Sequence, residues 1–86
     1  MNRIDRLIAA AAKLDKRMTP TVALISNAAD GFVLSFGLWD GVPGSGEKRI
    51  CETFDTLDAA RAGYDEFLKR YPAGKDGAVL IDMTGR

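Results

Sequence analysis

Histidine is absent from this 86-residue sequence, and Cys51 is its only cysteine. Without histidine, the chain lacks the most common metal ligand and the usual general base of enzymes. A single cysteine cannot close an intramolecular disulfide, and neither a histidine nor a second cysteine is present to activate its thiol. We therefore expect a protein that is not an enzyme and that uses no metal or cofactor.

Net charge and long apolar segments are missing as well. The 12 basic and 12 acidic residues cancel, so the chain as a whole has no attraction for nucleic acid or anionic membranes. No segment approaches the roughly 20 apolar residues that span a bilayer, and Arg3, Asp5 and Arg6 interrupt the apolar stretch that a signal peptide needs. The sequence predicts a cytoplasmic protein with a single domain, residues 1–86.

Two segments have the apolar spacing of amphipathic helices. The first covers residues 3–17 and ends there because Pro20 disfavours a helical conformation in the residue before it. The second covers residues 57–71, with Asp55 or Thr56 as its N-cap. Each segment has one apolar stripe, which predicts that each helix packs on a single neighbouring layer.

Four short segments are typical of β-strands: residues 21–27, 32–39, 48–54 and 78–83. The Asp30-Gly31 pair indicates a hairpin turn between the first two. The second strand alternates most clearly, and its predicted core-facing side chains are Phe32, Leu34, Phe36 and Leu38.

The order of these elements, α-β-β-β-α-β, predicts an α+β fold. We expect an antiparallel three-stranded meander plus a fourth strand, with two helices packed on one face of the sheet. The right-handed crossover rule allows the fourth strand to lie parallel to its neighbour, and we place it beside the first strand.

Apolar matching sets the predicted register between the second and third strands. Leu38 is expected opposite Ile50, and Leu34 opposite Phe54. This register puts Glu52 on the core face, where a lone buried carboxylate is costly. The third strand is therefore predicted to lie at an edge of the sheet, or to bulge, so that Glu52 reaches water.

The glycine-rich residues 41–48 resemble the phosphate-binding loop of nucleotide-binding proteins. Glu47 stands where that loop needs a lysine, and Lys48 stands where it needs a hydroxyl. A strand follows instead of a helix, so no helix N-terminus faces the anion. We interpret residues 41–46 as a mobile hairpin loop.

The sheet face away from the helices is one candidate contact surface. Its predicted residues are Ser35, Gly37, Trp39, Arg49, Cys51 and Thr53, with Ala23 and Ile25 as additions. Trp39 is suited to anchor a protein partner or to stack on a base; alternatively, it folds over Val42 and Pro43 and closes that end of the sheet. The predicted partner contacts are Trp39, Arg49, Thr53 and Ser35.

A basic stripe on the first helix is the other candidate surface. It consists of Arg3, Arg6, Lys13 and Arg17, which recur at helical spacing on the side predicted to face away from the core. Such a stripe suits a phosphate backbone, although a charged outer face is also what any surface helix has.

Two resemblances accompany these patterns. The order of the first five elements resembles that of double-stranded RNA-binding domains, but residues 56–60, Thr-Leu-Asp-Ala-Ala, replace the lysine cluster of that family, and its loop histidine is missing. The segment 52–60, Glu-Thr-Phe-Asp-Thr-Leu-Asp-Ala-Ala, resembles one found in small uncharacterised bacterial and prophage-encoded proteins. That likeness covers about a tenth of the chain and implies a short accessory protein of a bacterium or phage, with no active-site residue.

Our hypothesis is a non-enzymatic interaction module that binds a protein partner through its open sheet face or an edge strand. The alternative is a nucleic-acid-binding protein that uses the basic stripe. A homodimer is compatible with either, because an exposed edge strand invites pairing.

Overall fold

A computed structural model describes residues 2–14, 19–39, 43–44, 46–71 and 79–84. Its elements are α1 (Arg3–Lys13), β1 (Thr19–Ala28), β2 (Gly31–Trp39), β3 (Glu47–Phe54), α2 (Leu57–Arg70) and β4 (Val79–Asp82). The predicted α+β class and order of elements are confirmed. The strands form one sheet in the order β3-β2-β1-β4, which also confirms β3 at an edge and β4 beside β1.

The sheet combines an antiparallel meander with one parallel strand. A two-residue turn joins β1 to β2, with Ala28 opposite Gly31, as the Asp-Gly signal predicts. β4 runs parallel to β1 and places Ile81 opposite Leu24. A crossover that includes α2 separates these two strands in the chain, because parallel neighbours cannot be joined by a tight turn.

One hydrophobic core lies between the helices and the sheet. Its buried residues are Ile4, Leu7 and Ala11 of α1, Ala60 and Phe67 of α2, Tyr71, and the sheet residues Ala23, Ile25, Leu34, Phe36, Leu38, Ile50 and Phe54. The Phe36 and Phe67 rings stack with their centroids 4.2 Å apart. Complete burial of a side chain such as Phe67 contributes about 1.5–3 kcal/mol, so this contact holds α2 on the sheet.

Both helices begin at a capping side chain. The Asn2 side chain accepts a hydrogen bond from the Asp5 N–H at 2.8 Å, and the Thr56 hydroxyl accepts one from the Ala59 N–H at 3.0 Å. Each bond satisfies an N–H that has no partner inside its helix. Of the two predicted caps of α2, Thr56 is the one used.

The predicted end of the first helix is wrong. α1 ends at Lys13, and Leu14 already has an extended backbone with ψ of −161°. Leu14 still packs against the core, so the apolar pattern continues beyond the last helical turn. Arg17, the predicted last residue, lies outside the described part of the chain. β1 begins earlier than predicted, at Thr19, and includes Pro20 next to a bulge, a position where the missing N–H is tolerated.

The predicted register between β2 and β3 is wrong by two residues. Ile50 lies opposite Phe36 rather than Leu38, and the pairing of Leu34 with Phe54 shifts in the same way. Side chains alternate between faces with a period of two, so this shift leaves every residue on its predicted face. Apolar matching therefore cannot distinguish the two registers.

Candidate interaction surface

One face of the sheet carries no described helix, and we call it the open face. Strand alternation and the observed pairings assign its residues. They are Val79 and Ile81 of β4, Val22, Leu24 and Ser26 of β1, Val33, Ser35, Gly37 and Trp39 of β2, and Arg49, Cys51 and Thr53 of β3.

The four predicted partner contacts all lie on the open face, spread along the β2–β3 ladder from Trp39 at one end to Thr53 near the other. Ser35 is opposite Cys51, and Thr53 is opposite Val33. Arg49 is exposed on the edge strand β3, and Trp39, at the end of β2, is 39% exposed. The alternative prediction has Trp39 fold over Val42 and Pro43, and Val42 lies outside the described residues.

Ala23 and Ile25 do not belong to the open face. Both are fully buried, because β1 pairs them with Phe36 and Leu34 on the side of the helices. β1 has apolar residues at successive positions, so alternation alone cannot show which set faces the core. The antiparallel pairing with β2 decides it.

The open face has an apolar part that was not predicted from the sequence. In the described part of the chain, the exposed large hydrophobic side chains are Trp39, Val79, Ile81 and Met83, and the first three belong to this face. Val79 is 67% and Ile81 is 44% exposed. The sequence feature that could have indicated this apolar part is the run Val-Leu-Ile in β4. Such a run is typical of a strand covered on both faces, but here only the inner side of β4 faces a helix layer.

Asp82 sits at the end of β4 on the helix side. Its carboxylate accepts hydrogen bonds from the hydroxyl and the N–H of Thr84, and it forms an ion pair with Arg61 of α2. The bonds from Thr84, and then the pair with Arg61, lower the pKa of Asp82 from its ordinary value of 3.8 to about 2. This arrangement ties β4 to α2 across the sheet edge.

Arg3 and Arg6 of the basic stripe are partly exposed and lie beside acidic side chains. Arg3 pairs with Asp55 at 3.4 Å, and Arg6 pairs with Glu52 at the same distance. The Arg3 guanidinium also lies 5.9 Å from the centroid of the Phe54 ring. These acids offset the positive charge that the stripe would present to a phosphate backbone.

The two remaining residues of the basic stripe are Lys13 and Arg17. Lys13 is exposed in the last turn of α1, where a cation is favourable next to the helix C-terminus. Arg17 lies outside the described residues. The structure thus brings Arg3 and Arg6 to the acidic side chains around β3 and places Lys13 at the other end of the helix.

Glu52 is partly buried, so it is neither enclosed in the core nor fully exposed to water. It lies on the helix face of β3, opposite Leu34, and its side chain is 19% exposed. The edge position of β3 leaves room for the Arg6 guanidinium to reach it from α1. Partial exposure and this cation together reduce the cost of a carboxylate beside the core.

Within the described ranges, no three histidine, cysteine, aspartate or glutamate residues form a group that could hold a metal ion, and no helix is long and apolar enough to span a membrane. Comparison with protein-family models gives no match, and neither does comparison with curated proteins or with solved structures. The two resemblances seen in the sequence therefore stay predictions.

Proposed function

We propose that this domain is a non-enzymatic protein-binding module that docks on its partner through the open face. The observation that carries the proposal is the location of its exposed hydrophobic side chains. Trp39, Val79 and Ile81 all belong to the face that no described helix covers. Single exposed apolar residues are normal, but several on one uncovered face are typical of an interaction surface.

The distribution of side chains across the face supports this proposal. β1 and β4 supply Val22, Leu24, Val79 and Ile81, whereas β2 and β3 supply Ser35, Cys51, Thr53 and Arg49 beside Val33 and Trp39. Apolar contact area bordered by polar groups is the usual composition of a protein interface. Tryptophan and arginine are the residue types most enriched among energetically dominant contacts, so we assign the anchoring roles to Trp39 and Arg49.

We also propose that the protein is a short cytoplasmic accessory protein of a bacterium or phage. Only the resemblance of residues 52–60 supports that part. The contact surface rests instead on the exposure of the residues on the open face.

Cys51 makes the open face accessible to a direct test. It is the only cysteine of the chain, it is exposed, and it lies on the edge strand β3 opposite Ser35 of β2. A photoactivatable cross-linker attached to Cys51 should capture the same partner repeatedly from cells of the source organism. Mass spectrometry then identifies the captured protein and the residues joined.

The matched control moves the thiol to the opposite side of the molecule. In the double variant Cys51→Ser, Ala62→Cys, the thiol lies on an exposed position of α2. Labelled in the same way, this variant should not capture the partner. Equal capture from both positions, or capture from α2 alone, would show that the open face is not the contact surface.

A further inference from the structure

We propose that the outer edge of β4 forms a second interface, at which two copies of this chain pair their β4 strands antiparallel and join their sheets into one. This interface goes beyond the proposed partner site and does not depend on it. Its occupant is a second copy, and the contact runs along the strand edge.

The backbone of β4 has hydrogen-bonding groups available for such a pairing. The Met83 N–H donates to the Ile25 carbonyl oxygen at 2.8 Å, so Met83 and Ile81 direct their backbone groups toward β1. Because these groups alternate along a strand, Leu80 and Asp82 direct theirs toward the outer edge. β4 is the last strand of the sheet order, and no described strand pairs with that edge.

The two edges of the sheet differ in how they are protected. β3 carries Lys48, Arg49 and Glu52, and charged side chains discourage the addition of another strand. β4 has no charge, proline or break in register from Val79 to Ile81. Of the two edges, β4 is therefore the one suited to pairing.

The sequence of β4 is self-complementary in one antiparallel register. Residues opposite each other in such a ladder share a face, so a twofold axis at Ile81 places Ile81 of both copies side by side. Val79 then faces Met83 of the other copy, and both are exposed apolar side chains. Leu80 faces Asp82 of the other copy on the helix side.

This register also uses the backbone groups that point outward. Each pairing of Leu80 with Asp82 of the other copy is a hydrogen-bonded pair that exchanges two backbone bonds, and the symmetry generates the pair twice. The Ile81 pair on the axis is the non-bonded type, in which side chains approach most closely. Edge pairing and apolar burial thus support the same alignment.

Charge favours a second copy as the occupant. The chain has equal numbers of acidic and basic residues, so two copies have no net repulsion. The only charged residue in the paired segment is Asp82, whose carboxylate is already paired with Arg61 of its own chain. Across the axis, the open-face side chains that meet are all apolar.

Sedimentation equilibrium of the full chain tests the interface. Reducing agent must be present, because the exposed Cys51 thiol could otherwise link two copies covalently. We expect the wild-type protein to show a reversible monomer–dimer equilibrium. Ile81→Lys and Ile81→Glu each place like charges on the axis, and each should raise the dimer dissociation constant by about tenfold or more.

Mixing the two variants tests the register itself. Ile81→Lys and Ile81→Glu, combined in equal amounts, should associate more tightly than either alone, because opposite charges then meet on the axis. Cys51→Lys adds the same charge on the same face but at the far edge strand, and it should dimerise like the wild type. Circular dichroism verifies that each variant is folded.

Three results would overturn the proposal. The first is a wild-type chain that stays monomeric at about 1 mM. The second is a dimer that both Ile81 variants leave intact, and the third is a mixture that associates no better than its components. The cross-link from Cys51 reports separately on the protein partner, so the failure of one proposal does not imply failure of the other.

Discussion

The ring of Phe54 in β3 lies directly against Gly63 in the middle of α2. A Cβ atom placed on Gly63 would be 2.7 Å from Phe54 Cζ and 3.0 Å from Ile4 Cδ1. Such distances are shorter than van der Waals contact, so the missing side chain is what lets α1, α2 and β3 pack together here.

Gly63→Ala is expected to destabilise the domain. Alanine in place of glycine normally stabilises a helix interior by about 1 kcal/mol, but forcing an extra methyl into a packed core costs about 1–3 kcal/mol. We expect a net loss of about 1 kcal/mol in the free energy of unfolding, measured by urea denaturation. In a Phe54→Leu background the same substitution should be stabilising, because the distal ring atoms are gone; an equal effect in both backgrounds would contradict the packing argument.

Glu52→Leu is expected to leave the domain as stable as the wild type or to stabilise it by up to about 1 kcal/mol. The side chain lies beside the core, and its cation Arg6 is 58% exposed, so solvent screening weakens the ion pair to about 0–1 kcal/mol. Arg6→Met, in contrast, should destabilise slightly because it leaves the carboxylate without its cation. Thermal unfolding of both variants and their combination measures the coupling; a clear loss of stability in Glu52→Leu would contradict the expectation.

The lowered pKa of Asp82 predicts an acid-sensitive contribution to stability. The folded-state pKa is about 2 and the ordinary value is 3.8, so the folded state binds the proton less readily than the unfolded state. The stabilisation is complete above about pH 4 and is lost as the pH falls toward about 2. Urea denaturation across this range should show that Asp82→Asn is less stable than the wild type near neutral pH and equally stable near pH 2. Asp30→Asn, in the exposed turn before β2, controls for the loss of one negative charge.

Nucleic-acid binding through the basic stripe is expected to be absent. Because Arg3 and Arg6 are paired with acidic side chains, few counterions would be released on contact with a phosphate backbone. Titration of Trp39 fluorescence with single-stranded DNA, duplex DNA and RNA at low salt should give no saturable change. A saturable response that weakens with salt and disappears in the Arg6→Glu, Lys13→Glu variant would instead support the nucleic-acid alternative.

Trp39→Ala is expected to abolish capture of the protein partner while the circular dichroism spectrum stays native. The indole is 39% exposed, so its removal takes little from the core, and the bond from the Thr19 hydroxyl goes to the backbone oxygen of Trp39. Lys48→Ala, an exposed change on the helix-facing side of β3, should leave capture intact. Capture that survives in Trp39→Ala would show that this residue is not an anchor.

The strand order was predictable because one energetic argument outweighed the others. A carboxylate at position 52 on the core face is costly unless its strand lies at an edge, and β3 does lie at an edge. The partner of Glu52 was not predictable in this way. Arg6 is 46 residues away in the sequence, and helical spacing alone had placed it on the outer side of α1.

The sequence by itself determined the type and the order of the elements of this protein. Helical and strand periodicity, the cap at Asp55 or Thr56, and the Asp30-Gly31 turn are local signals, because the interactions behind them join residues within a few positions of each other. One residue of the open face was also predictable, because strand alternation places Trp39 on the face opposite the apolar residues of β2.

Only the tertiary structure decided the register of β3, the face of Ala23 and Ile25, and the use of the stripe arginines. Each depends on a pairing between distant segments, and a shift of two residues preserves every local pattern. The exposure of Val79 and Ile81 is of the same kind. An apolar strand has the same sequence pattern whether or not a second layer covers it. The open face is therefore identified only from the position of the helices on one side of the sheet.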